Sequence, residues 1–369
     1  MRLLITPNPF KECLDSSAVA KYLAIGFRQA KNYHKITLLP LSDGGMGSCL
    51  RIASCLKDCR KFKCKGFSPL GKRMETFFLE QQKTKKIFIE SASVCGIHLV
   101  PKNKRKPLAT SSAGLGRLIL AALKRRPKEI VIFLGDNYVC DCGLGMLDAL
   151  SVKFFNAQGD RLAAESKNLK NIRTLDATKL SKLIKNVKFT VAGNNTTYLT
   201  GQKSFICKYC RDKNLLSDDI KILRIGINNF VKILNKLFAK NFLKIGGCGS
   251  SGGLGLACLS FFDAKFVNGF EYIAKLINLK KYLTRADLII TGEGALDKNS
   301  CNKVVGFLAR KTNKDIILIV GCRKNQRFNK IKNVKKIFTL VEPDKISYGI
   351  KNAKKLLIQA GGRIAEYLA

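Results

Sequence analysis

Short runs of aliphatic residues recur along this chain, and between them lie stretches whose apolar residues fall every three or four positions. MRLLITP and KITLLPL open the sequence, and ADLIITGEG, DIILIVG and KKIFTLV fall near its end. Continuous apolar runs alternating with helical patterns predict a parallel sheet covered on both faces. SSAVAKYLAIGFRQA (16–30) has helical spacing, with Asp15 or Ser16 as its cap. A second helix is expected from about 47 to 56 and a last one through 356–368. After residue 61 the pattern changes. KFKCKGF, METFFLE and KKIFIESAS are short runs around turn signals and predict antiparallel strands. Further on, a helix is expected over about 112–124, strands at EIVIFLGD and KFTVAGN, a helix through GLGMLDAL, and mostly helix over 213–242. The expected fold is therefore α/β: a Rossmann-like parallel domain formed by both chain ends (1–62 and 282–369), with a mixed α/β domain (63–281) inserted and a cleft between the two.

The chain has 369 residues, of which 46% are hydrophobic, enough for a large core and about two domains. No apolar stretch reaches the roughly 18 residues of a membrane span, and MRLLITPNPFKE reads as a strand instead of a signal peptide. The 14 cysteines are scattered, many within apolar runs, which fits free thiols in a reducing cytoplasm. Cys207-x-x-Cys210 and Cys140-x-Cys142 lack the second pair that a zinc site needs. With only two histidines, His34 and His98, the sequence argues against Ser-His triads and histidine-ligated metals. The formal net charge is +41. Nucleic-acid binding is one reading of it, but aromatic residues are not interleaved with the basic clusters as a stacking platform requires. Lysine spread over solvated faces is the preferred reading, and such a surface attracts acidic, phosphorylated small molecules.

Ligands of open α/β sheets bind beyond the carboxyl ends of the strands. Here strand after strand ends in polar signatures. LLITP runs into Asn8, Pro9, Phe10 and Lys11, and ITLLP into Ser42, Asp43, Gly44 and Gly45. LIITG runs into Glu293, Gly294 and Asp297, with Lys303 beyond. In the middle of the chain VIFLG runs into Asp136 and Asp141, and FTVAG into Asn194 and Asn195. Glycine admits phosphate to the backbone, lysine offsets its charge, and carboxylates hold Mg²⁺ or accept a hydroxyl proton, a mixture that suits phosphoryl transfer. GCGSSGGLG (247–255) reads as a glycine-rich anion loop opening a helix, and a tight packing loop is the other reading. No Walker A motif is present.

Taken in order, these stretches resemble the bacterial-type, P-loop-free glycerate kinase family. PNPFKECLDSSAVAKYLAIGFRQA looks like its opening Pro-Asp-Ser-Phe-Lys segment, and LPLSDGGMGS like its Pro-x-x-Asp-Gly-Gly-Glu-Gly-Thr. IESASVCGIHLVP with TSSAGLGRLI is similar to its central segments, and GCGSSGGLG to its glycine motif. ADLIITGEGALDKNSCNKVVG matches its most specific motif. The resemblance implies ATP- and Mg²⁺-dependent phosphorylation of D-glycerate by direct in-line transfer. It assigns catalysis to Lys11, Asp43 and Asp297, and substrate or nucleotide contact to Asn8, Gly44, Gly45, Ser112, Gly247, Gly249, Gly252, Gly253, Glu293 and Lys303. Glu293, Asp297 and Asp141 are the candidate metal ligands. The chain departs from the family pattern at Asn8 (for Asp), Glu12 (for Gly), Met46 (for Glu), Asn194 (for Asp) and Tyr198 (for Pro). Two alternatives stand beside this reading. One is a catalytically weakened kinase-like protein that binds nucleotide or glycerate, and the other is a basic nucleic-acid-binding protein on the same scaffold.

Overall fold

The aliphatic runs at the two chain ends meet in one sheet. The structure is a computed structural model describing residues 1–10, 13–30, 35–193, 197–202, 204–207, 216–296, 300, 304–323 and 331–369. Its strands are β1 (Arg2–Ile5), β2 (Lys35–Leu38), β3 (Cys59–Phe67), β4 (Arg73–Gln81), β5 (Lys86–Glu90), β6 (Glu129–Phe133), β7 (Lys153–Phe155), β8 (Arg161–Leu162), β9 (Thr174–Asp176), β10 (Lys188–Gly193), β11 (Lys265–Asn268), β12 (Leu288–Leu296), β13 (Asp315–Arg323) and β14 (Val334–Thr339). The chain divides into two units, Met1–Asp43 with Ile273–Ala369, and Gly44–Tyr272.

The first unit is a five-stranded sheet in the order β14-β13-β12-β1-β2, every neighbouring pair parallel. Counted within the unit, that order is 2-1-3-4-5, which places the topological switch point between β1 and β12. Both faces are buried, as continuous apolar strands require. Leu3, Ile5, Leu288, Ile290, Ile317 and Ile319 pack with Val19, Leu23, Phe27, Leu357 and Ile364 from the helices Ser16–Gln29 and Ala353–Tyr367. Leu4, Ile289, Ile316 and Leu318 alternate with them and are equally buried. Of the two cap candidates, Asp15 is used: its carboxylate accepts the Ala18 N–H at 2.8 Å.

In the second unit the sheet order is β11-β10-β6-β5-β4-β3. β5, β6, β10 and β11 are parallel, while β3, β4 and β5 form the expected antiparallel run. A small antiparallel sheet, β8-β7-β9, has strands of two or three residues, too short to leave a periodic signal. The core joins Ile87, Ile89, Ile130, Ile132 and Val191 to Leu115, Leu118 and Ile119 of the helix Ala113–Leu123, and reaches Ile227 and Phe230 of the helix Ser217–Phe238.

The chain crosses between units at 43/44 and 272/273, not at 62/63 and 281/282. The helix Ser48–Cys55 lies against β3, β4 and β5, and the helix Leu279–Arg285 lies against β1. Which sheet a short helix joins is set by that packing, and no shift in composition marks it. Among the described residues no helix is long and apolar enough to cross a membrane.

Candidate active site

The pairing of β1 continues past its last residue. Thr6 N–H donates to Ile290 O at 2.7 Å, Asn8 N–H to Gly292 O at 2.9 Å, and Leu41 N–H to Pro7 O at 2.9 Å. The parallel register that pairs Ile5 with Ile290 therefore sets Asn8 opposite Glu293, and Glu293 pairs with Val320 on its other side. Side chains at paired positions of parallel strands leave the same face, with backbones about 4.8 Å apart. Two buried threonines fix this edge: Thr6 Oγ1 donates to Leu39 O and Thr291 Oγ1 to Thr6 O. The structure thus brings Asn8 and Glu293 together at the switch point. Both are buried, and Asn8 Oδ1 has no hydrogen-bond partner among the described residues. Asp43 follows two residues after Leu41 and is half-buried. Lys11, Glu12, Asn194, Asn195, Asp297 and Lys303 lie outside the described residues.

In the second unit the carboxyl ends of β5 and β6 meet the segment Gly44–Cys49. Glu90, the last residue of β5, accepts from Gly47 N–H at 3.0 Å and from Cys49 N–H at 3.1 Å. Asp136 Oδ2 accepts from Met46 N–H at 3.0 Å. Glu90 already fills the N-terminus of the helix Ser48–Cys55, where a phosphate would otherwise be favoured. Burial pushes its carboxyl up to about 7, with the Gly47 and Cys49 amides pulling the other way and Asp136 adding to the rise. Gly44 and Gly45 allow two chain segments to cross here. Gly135 N–H donates to Gly44 O at 2.9 Å, and a Cβ on Gly135 would come within 2.3 Å of Gly45 Cα.

Asp141, a candidate metal ligand, is held by surrounding backbone and hydroxyl donors. It is fully buried and its carboxylate takes four donors: Ser112 N and Ser112 Oγ at 2.8 Å, and Gly143 N and Gly145 N at 3.1 Å. Three of these donors share Oδ2, and the Gly143 amide alone takes Oδ1. Ser112, expected at the substrate, is buried and occupied likewise, its hydroxyl also accepting from Met146 N–H at 2.9 Å. Burial raises the Asp141 carboxyl above its ordinary range, against the pull of these donors.

The glycine loop lies close against neighbouring backbone. Gly247 N–H and Gly249 N–H both donate to Thr197 O, at 2.9 and 3.2 Å, so they are not directed at a phosphate. Ser251, Gly252 and Gly253 all have positive φ, and the regular helix begins only at Leu254. Gly252 lies on the backbone of Val139 and Gly253 on Cys142, each too close to admit a Cβ. Ser251 Oγ donates to Leu134 O. The packing reading of GCGSSGGLG is the one this geometry supports.

Glu90 carries one sequence signal, a glutamate closing the apolar run KIFIE. Among the described residues no group of three or more His, Cys, Asp or Glu could hold a metal by itself.

A family model described as the glycerate kinase family matches residues 3–369. The glycerate kinase of Halalkalibacterium halodurans is 32% identical over 299 residues, covering 81% of this chain and 78% of that protein. Glycerate 2-kinase of Escherichia coli is 30% identical over 325 residues, covering 87% and 85%. The crystal structure of the protein assigned as glycerate kinase 2 from Salmonella typhimurium LT2 matches with a TM-score of 0.80 at 28% identity, over 100% of this chain and 98% of that one. Matched along practically its whole length, the chain belongs to the glycerate kinase family.

Proposed function

We propose that this enzyme transfers the γ-phosphoryl group of ATP to a hydroxyl of D-glycerate, directly and in line. The observation that carries the reading is the pairing of Asn8 with Glu293 at the switch point of a 2-1-3-4-5 sheet, in a chain of this family. Asn8 Oδ1 is a buried oxygen without a partner among the described residues, and Glu293 supplies a carboxylate beside it. Oxygen donors of this kind fit Mg²⁺, which prefers one or two carboxylates together with substrate phosphates. Glu293, Asn8 and Asp297 would hold the ion, which when bound neutralises phosphate charge. Asp43 orients the glycerate hydroxyl and accepts its proton. Lys11 offsets the charge that develops on the transferred group, and Lys303 meets the nucleotide phosphates. Gly44 and Gly45 continue the chain directly from Asp43 and keep side chains away from the substrate.

The test is a coupled assay of purified protein with ATP, Mg²⁺ and D-glycerate, with phosphorus NMR to identify whether the 2- or the 3-hydroxyl is phosphorylated. Glycerate-dependent ADP release is the expected result. A thermal shift with Mg-ATP but no turnover would instead indicate a weakened, ligand-binding relative. Salt-dependent retention on heparin without nucleotide binding would turn the argument to nucleic acid.

A further inference from the structure

The segment Gly44–Cys49 is tied down at every residue. Besides the Met46, Gly47 and Cys49 amides on Asp136 and Glu90, Gly44 O accepts from Gly135 N–H, and Gly45 O accepts from Ser48 Oγ at 2.6 Å. Gly44 and Gly47 are left-handed, at φ +91° and +86°. Two carboxylates on adjacent strand ends are more than helix capping needs, because a Ser or Asn side chain satisfies one free amide without burying a charge. What they fix is the path of the backbone leaving Asp43. We propose that Glu90 and Asp136 are positioning residues for Asp43, holding the segment that follows it so that its carboxylate meets the substrate hydroxyl at a set angle. This rests on the reading of Asp43 as the group that accepts the hydroxyl proton.

Among the described residues, the titratable groups facing Glu90 are Asp136, beyond β6, and the Cys49 thiol, kept protonated by burial. His98 lies near Asp136 and burial lowers its proton affinity. A protonated carboxyl oxygen no longer accepts an amide well, so the hold on Gly47 and Cys49 tightens as pH rises through about 7. Stability runs the other way. The folded-state carboxyl binds its proton more tightly than the unfolded one, so between its ordinary value of 4.5 and about 7 the folded state carries more protons and stability falls as pH rises. Activity and melting temperature should therefore move in opposite directions through one ionisation.

The test is Glu90→Gln, with kcat and KM followed from pH 5.5 to 9 on the full-length chain. The expected result is a kcat lower by about 10- to 100-fold at high pH, KM for ATP within about twofold of wild type, and loss of the rising limb near pH 7. Amide exchange at one pH should show faster exchange at Gly47 and Cys49 while the core of the second unit is unchanged. A variant that keeps both its rate and the limb overturns the proposal. Should Glu90→Gln fail to fold, Asp136→Ala removes the acceptor of the Met46 amide and should lower kcat with the limb retained; an unchanged kcat there overturns the proposal too. If the wild type shows no glycerate-dependent turnover, the reading of the function has failed. The hold on the segment is then judged by exchange, and unaltered protection of Gly47 and Cys49 in Glu90→Gln refutes it.

Discussion

Replacing Gly252 with alanine separates the two readings of the glycine loop. The added Cβ would stand 1.9 Å from Val139 O and 2.8 Å from Val139 C, at a backbone φ of +67°. The left-handed conformation costs a residue with a side chain about 1–2 kcal/mol, and forcing a methyl against packed backbone costs about 1–3 kcal/mol more. Retreat from Val139 also stretches the bond from Cys142 N–H to Gly252 O, now 3.1 Å, at about 0.5–1.5 kcal/mol. The sum is about 2.5–6.5 kcal/mol. A unit of this size loses roughly 2–4 °C per kcal/mol, so its melting temperature should fall by roughly 5–25 °C. Gly159→Ala is the control. Gly159 has φ +86° but open space where its Cβ would go, so only the conformational part, about 1–2 kcal/mol, should appear. Both variants are followed by thermal melts and by steady-state kinetics below the transition, where the folded Gly252→Ala fraction should keep its KM for ATP. A variant that melts with the wild type but shows a sharply raised KM would refute the packing account and restore the loop as an anion cradle.

Asp141→Asn should destabilise the second unit by about 1–3 kcal/mol. The new amide group can turn toward the oxygen position that serves only Gly143 N–H, leaving one donor stranded; the Mg²⁺ dependence of the rate should not change, and a marked change would return Asp141 to the metal site. Asn8→Asp sets a second carboxylate about 4.8 Å from the Glu293 strand. It should lower the melting temperature without Mg²⁺ and sharpen its recovery as Mg²⁺ is added, and a melting temperature indifferent to Mg²⁺ would remove this pair from metal binding. Lys11→Ala should lower kcat/KM by about 10²-fold or more with an unchanged melt, so near-native kinetics would remove Lys11 from the reaction.

What could be read from the sequence was the part in which one residue type has one physical reading. LLITP and LIITG have few fates other than buried strands, and their polar sequels had to fall at the sheet's carboxyl edge, where Asn8 stands opposite Glu293. Glycine is different, because it reports only that no Cβ is tolerated. In GCGSSGGLG the space is taken by Val139, Cys142 and Tyr198, and a phosphate would leave the same letters in the chain. Carboxylates share the ambiguity. Asp141 needed donors, and spacing cannot tell the amides of Ser112, Gly143 and Gly145 from a cation. Glu90 is unmarked in the sequence for the same reason. Its partners come from a loop more than 40 positions earlier, and nothing local to KIFIE demands them. The first compact unit ends ahead of the helix Ser48–Cys55 because that helix packs on β3, β4 and β5, which follow it in the chain. In each case the identity of a side chain set which interactions it could make, and only long-range packing chose among them. Tests of this site should therefore pair every kinetic measurement with a melt, because Asp141, Gly252 and Glu90 all lie where the loss of a fold and the loss of a ligand give the same inactive enzyme.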